Sequence, residues 1–124
     1  MQELLKLKNW AVVGTTKDTS KFGYRVYKKL KNSGYNVYPV NPGLDEIRGE
    51  KCYHSLTDME DNIDVVSLIV NPKIGIEVLE KVNEKGIKNV WCQPGAESQE
   101  LIDKAKEYGM KIIVNECVLV ELRK

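Results

Sequence analysis

One phenylalanine, one histidine and three cysteines leave this 124-residue sequence short of the side chains from which metal sites, disulfide frameworks and catalytic dyads are built. Cys52, Cys92 and Cys117 are odd in number and widely spaced, with only His54 to assist them, which suits free thiols in a reducing compartment better than a disulfide framework or a zinc site. Charge of one sign is not in excess either. Lys plus Arg number 19 against 18 for Asp plus Glu, so a net charge of +1 provides no global field for nucleic acid or an anionic membrane. No apolar run approaches the ~20 residues that cross a bilayer, and residues 1–6 lack the apolar stretch and cleavage site of a signal peptide, so the expected location is cytoplasmic. There is no Pro-rich linker, low-complexity tract or long-period repeat. Residues 1–124 are read as a single domain, able to bury roughly two-thirds of its unfolded surface.

What is present is a repeated alternation of short apolar runs and amphipathic stretches. Residues 10–14, Asn36–Val40, residues 64–70 and Asn89–Cys92 are nearly continuous in apolar character, as strands buried on both faces are, and residues 111–114 add a fifth. The first helix is expected from Ser20 or Lys21 to Asn32, with Phe22, Val26, Tyr27 and Leu30 inward and Lys28, Lys29 and Lys31 outward. Pro72 opens a second helix, burying Ile76, Val78, Leu79 and Val82, and Ser98 caps a third, burying Leu101, Ile102 and Ala105. Gly34, Gly86 and Gly109 each lead from a helix into a strand, so one α/β unit repeats. Residues 44–61 break the pattern with a tight turn, a short edge strand and a brief helix. Right-handed crossovers then give an α/β fold, an open parallel sheet of about five strands ordered 3-2-1-4-5.

Ligands of such sheets sit beyond the carboxyl ends of the strands, near the point where the winding reverses. The loop after the first strand is neither the three-glycine dinucleotide fingerprint nor a P-loop, because only Gly14 and a distant Gly23 are present. Gly14, Thr15, Thr16 and Ser20 can still cradle phosphate with hydroxyls and helix N–H groups, and Lys17, Lys21 and Arg25 supply charge. An ordinary strand-to-helix turn with solvated lysines accounts for these residues equally well. Asn41-Pro42, after Val40, and Asn71-Pro72, after Val70, hold their asparagines extended, either aimed into the cleft or starting turns. Gln93, ahead of the Pro94-Gly95 turn, can reach the cleft. His54 lies on the edge excursion away from the strand ends, which suits a solvated or locally hydrogen-bonded ring better than a general base. Glu97, Glu116 and Glu121 have no evident partner with which to split acid and base roles, so no catalytic set is assigned.

Taken in order, Val12-Val13-Gly14-Thr15-Thr16, residues 34–42, Ile47-Arg48-Gly49-Glu50-Lys51-Cys52-Tyr53, Asp64-Val65-Val66 and Val90-Trp91-Cys92-Gln93-Pro94-Gly95 resemble the small stand-alone CoA-binding proteins. These are similar to the nucleotide-binding domain of the succinyl-CoA synthetase α-subunit. The resemblance implies a Rossmann-like fold with helices on both faces, binding coenzyme A or an acyl-CoA. The pyrophosphate would lie over residues 14–20 with Lys21 and Arg25 as counter-charges. Val40, Asn41 and Pro42 would border the cofactor, Val70, Asn71 and Pro72 would lie against adenine or pantetheine, and Gln93, Pro94 and Gly95 would close the far side. The synthetase also uses a phosphorylated histidine from a further domain and a partner subunit, neither of which falls in this sequence, so ligase activity is not carried over.

The leading expectation is therefore a non-catalytic or regulatory CoA-binding module. An NAD(P)-binding redox protein is the rival on the same sheet, opposed by the missing glycine triplet and by Val40-Asn41 where an acidic residue would hold the ribose. A third reading is a partner-binding subunit of a ligase-like complex. Apolar side chains in residues 118–122 would serve a homodimer or a protein partner, unless they pack back on the sheet. A mixed disulfide between a ligand thiol and Cys92 or Cys117 is also left open.

Overall fold

The computed structural model describes residues 2–60 and 62–122. In chain order the elements are α1 (Gln2–Leu5), β1 (Asn9–Val13), α2 (Phe22–Asn32), β2 (Asn36–Val40), β3 (Glu46–Ile47), β4 (Glu50–Lys51), a 3₁₀ turn (Leu56–Asp58), β5 (Val65–Leu68), α3 (Pro72–Glu84), β6 (Asn89–Cys92), α4 (Gln99–Glu107), β7 (Lys111–Ile113) and α5 (Val118–Glu121). Five strands make one sheet in the order β2-β1-β5-β6-β7, and every pairing in it is parallel. The open parallel α/β sheet expected from the alternation of runs is thus present, with the Rossmann-like architecture that the resemblance implies.

Side-chain alternation along β1 explains why its sequence reads as unbroken apolar. Trp10 and Val12 pack with Tyr24, Val26, Tyr27 and Leu30 of α2, while Ala11 and Val13 join Leu79 and Val82 of α3 and Leu101 and Ala105 of α4. Two cores, one on each face, hold the sheet. Val118 is fully buried in the α2-side core, and Leu119 and Leu122 pack against it, so the C-terminal apolar residues fold back on the sheet and only Val120 is left exposed.

The strand order corrects the expected one. Counting the five sheet strands along the chain, the order is 2-1-3-4-5 and not 3-2-1-4-5, since β5 lies between β1 and β6. Pro39 gives the reason. Proline cannot donate to a ladder and is confined to edge strands, so β2 cannot take a full strand on its outer side. What covers that edge is one parallel bridge between Val40 and Tyr53, in which Tyr53 N–H donates to the Pro39 carbonyl and Asn41 N–H to the Tyr53 carbonyl. The chain then passes through the 3₁₀ turn, packed on the α3 side, and returns inside β1. The winding therefore reverses between β1 and β5.

Candidate functional site

At that reversal the chain leaves β1 under tight constraint. Gly14 N–H donates to the Val40 carbonyl at 3.0 Å, and Ile69 N–H donates to the Val13 carbonyl at 2.8 Å. Gly14 has φ +104°, and a Cβ built there would lie 2.2 Å from the Ile69 carbonyl oxygen. A Cβ on Gly23 would lie 2.2 Å from the Gly14 carbonyl oxygen. The two glycines, far apart in sequence, together let the first turn of α2 sit on the end of β1. Close helix-to-strand packing is the task of the last glycine in a dinucleotide fingerprint, and here the helix itself supplies it.

The start of α2 differs from those of the two other long helices. Asn71 Oδ1 accepts from Ile74 N–H at the head of α3, and Ser98 Oγ accepts from Leu101 N–H at the head of α4. Lys21, the N-cap of α2, is extended and makes no side-chain cap. In front of it lies a hollow of about 390 Å³ bounded by Gly14, Thr16, Lys21, Phe22, Gly23 and Ile69. The first N–H groups of α2 and the positive end of its dipole are thus offered to whatever fills that hollow.

The loop hydroxyls are less free than the sequence suggests. Thr15 is fully buried and its hydroxyl donates to the Val12 carbonyl at 2.8 Å. Thr16 Oγ1 accepts from Asp18 N–H, and the Asp18 carboxylate accepts from both the hydroxyl and the N–H of Ser20. Those two Ser20 bonds hold the Asp18 carboxyl below its ordinary range. Lys17 is exposed in the loop and Lys21 borders the hollow, but Arg25 lines a separate groove with Lys28, Lys29 and Leu119 on the outer side of α2. The hollow is thus bordered by the head of α2, by Lys21 and by Thr16, whose O–H proton is still free to donate, while the Thr15 and Ser20 hydroxyls donate within the protein.

Gly14 also borders a second cavity of about 360 Å³ on the α3 side. Val13, Val40, Pro42, Leu56, Val70 and Ile74 give it apolar walls, and His54, Glu77 and Lys81 add charge-bearing groups. His54 is thus not remote from the strand ends. The Tyr53 bridge to Val40 folds the excursion back over β2 and carries His54 to the cavity, where its Nε2 lies 2.7 Å from Asp45 Oδ1. Of the α3 residues that line the cavity, the inward face expected from the sequence includes Val78 alone; Ile74, Glu77 and Lys81 join it there at the 3-to-4-residue spacing that is their one sequence signal.

The two Asn-Pro pairs both serve turns. Asn41 Oδ1 accepts from Gly43 N–H and its Nδ2 donates to the Thr15 carbonyl at 2.8 Å, tying the end of β2 to the first loop, while Asn71 is the α3 cap. Val70, Asn71, Pro94 and Gly95 meet at a shallow hollow of about 250 Å³ beside β5. Gln93 does not reach it. The side chain is fully buried, donating to Ser67 Oγ at 3.0 Å and accepting from Val118 N–H at 3.2 Å, so it braces β5 against α5. Burial, with some help from the Glu97 carboxylate, pushes the Cys92 thiol up to about 12, and Cys52 is raised for the same main reason, so neither is poised as a thiolate. Among the described residues no three His, Cys, Asp or Glu side chains are grouped to hold a metal ion, and no helix is long and apolar enough to cross a membrane.

A family model described as a CoA binding domain matches residues 8–123. The sequence is 37% identical over 119 residues to the ADP-forming acetate–CoA ligase of Methanocaldococcus jannaschii, covering 90% of this chain and 17% of that protein. It is 31% identical over 117 residues to the uncharacterized protein YneT of Bacillus subtilis, covering 94% of this chain and 87% of that one. Among solved structures, a hypothetical protein from Pyrococcus horikoshii superposes with a TM-score of 0.93 at 39% identity, over 98% of this chain and 86% of its own. The chain therefore spans a minor part of the ligases it matches, and most of the small protein from Bacillus.

Proposed function

This chain belongs to the CoA binding domain family, and on that premise we propose that it binds coenzyme A or an acyl-CoA as a non-catalytic or regulatory module. The diphosphate lies across the head of α2, where N–H groups without a side-chain cap, the helix dipole and Lys21 favour an anion. Lys17 adds a second, solvent-screened charge from the loop. The cavity between β2 and α3 takes the nucleoside, whose flat apolar base matches walls of valine, leucine, isoleucine and proline. Pantetheine leaves toward Val70, Asn71, Pro94 and Gly95. The observation that carries this reading is the missing cap on α2: of the two long helices that start at the winding reversal, α3 is capped by Asn71 and α2 is not.

NAD(P) fits less well. The end of β2 offers Asn41, already engaged with Gly43 and Thr15, in place of a carboxylate for the ribose diol. Relatives named as ADP-forming CoA ligases, one of them a subunit α, favour a role in which this module serves a larger catalytic assembly. The match to most of YneT favours the module working alone, and both arrangements use the same cleft.

Titration calorimetry at low salt tests the reading. CoA should release heat with one-site stoichiometry, and Lys21→Gln should weaken binding by about tenfold, the scale of one charge-assisted contact. Absence of heat with CoA, or a larger thermal shift with NADH than with CoA, overturns it.

A further inference from the structure

Resting on that cofactor reading, we propose that His54 and Lys81 recognise a phosphate monoester on the ribose, so that this chain discriminates CoA from its 3′-dephosphorylated form. Gly14 borders both the hollow at the head of α2 and the cavity beside α3. A ligand whose diphosphate rests on α2 thus enters the cavity ribose first and base second. The face of α3 that lines the cavity runs from Ile74 to Lys81, two turns covering about 10 Å of helix axis, the length of a nucleoside.

Such a cavity accepts the uncharged part of the ligand without help, but a phosphate monoester brings nearly two negative charges to an apolar mouth. His54 and Lys81 are the two cation-forming groups that line it. The ring of His54 is held from behind by Asp45, which engages one nitrogen and leaves the other for a ligand. With both nitrogens protonated the ring donates to Asp45 on one side and to a phosphate oxygen on the other. Lys81 takes part in none of the ion pairs among the described residues. Side chains of a helix lean toward its N-terminus, which for α3 is the strand-end side, so Lys81 rises toward the ribose.

The remaining charges fit this assignment. Glu77 shares the α3 wall, and its carboxylate suits the exocyclic amine of a base rather than a phosphate. Lys51 and Asp58 border the hollow behind His54, where their opposite charges offset each other.

The test compares CoA with dephospho-CoA by calorimetry on the wild type, His54→Ala and Lys81→Met, with thermal unfolding to verify that each variant is folded. His54 is exposed, so its loss leaves the fold intact. Wild type is expected to bind CoA at least tenfold more tightly than dephospho-CoA. Each variant should lose about tenfold for CoA and change little for dephospho-CoA, with Asp45→Asn falling in between. Equal affinity of the wild type for the two ligands overturns the proposal and leaves the cofactor reading intact. A preference that survives both substitutions also overturns it, because the phosphate is then read elsewhere. Failure of both ligands to bind overturns the cofactor reading itself.

Discussion

At Gly23 a methyl group has nowhere to go. The atom it would strike, 2.2 Å away, is the Gly14 backbone carbonyl, which is itself fixed between the ends of β2 and β5. Gly75 is equally buried in α3, yet its added Cβ would meet the Leu101 Cδ1 methyl at 2.7 Å, the far end of a side chain that can rotate aside. Gly23→Ala should therefore destabilise the chain by roughly 2–4 kcal/mol in urea unfolding and remove CoA binding, since the α2 head must lift from β1. Gly75→Ala should stay within about 1 kcal/mol of the wild type, because gain in helix propensity offsets the displaced leucine. Equal stability of the two variants would show that the approach of Gly23 to Gly14 is not required. Gly14 was legible from the sequence as the stop after an apolar run, whereas the partnership with Gly23 depends on how α2 docks and left no local mark. The same limit explains Thr15 and Gln93. Their residue types promised donors to a cleft, and burial turned both inward to backbone and side-chain partners.

Among the helices, sequence punctuation was enough to place α3 and α4. Asn71-Pro72 and Ser98 are strong start signals, and both side chains accept the expected N–H. At α2 the start was legible to within a residue, but the lack of a cap shows its meaning only when the hollow in front of it is seen. That lack sets stability against binding. Lys21 already has the extended backbone of an N-cap at φ −84° and ψ 150°, so Lys21→Ser should install a capping hydroxyl and raise stability by about 0.5–1 kcal/mol. The same hydroxyl occupies an N–H that the diphosphate needs, so Lys21→Ser should weaken CoA more than Lys21→Gln, although both remove the charge. Ser98→Ala is the control, losing about 1 kcal/mol with CoA affinity unchanged. Were Lys21→Ser both more stable and as tight a binder as Lys21→Gln, the uncapped head of α2 would have no part in holding the ligand. Pro39 is the element-level signal against the expected strand order, for a proline in β2 already forbids an inner position for that strand.

On the scale of the whole molecule, the order of apolar runs was sufficient for a two-faced parallel sheet, because strands covered on both sides leave no other pattern. The side of β1 on which the third sheet strand lies depends on a long-range crossover, and its only trace was that proline. The way the fold buries its ionisable groups leads to a pH dependence that is steep on one side. Burial raises Cys92 to about 12 and pushes Cys52, Tyr27 and Tyr35 above their ordinary values. Lys31, held by Glu50, is raised as well. In each case the folded chain keeps a proton that the unfolded chain gives up, so stability is full below the unfolded values and declines as pH rises toward the folded ones. For Cys92 that window runs from 9.0 to about 12. On the acid side, Glu3 and Asp18 are lowered but fully exposed, so their loss should be slight. The melting temperature should accordingly fall much more between pH 9 and 11.5 than between pH 5 and 3. Cys92→Ala should melt lower at neutral pH, from lost packing, yet show a shallower alkaline decline. An unchanged alkaline slope in that variant would move the effect to the tyrosines, which Tyr27→Phe and Tyr35→Phe would then have to flatten. A melting temperature level through pH 11.5 would mean that these groups titrate in the folded chain as they do in the unfolded one.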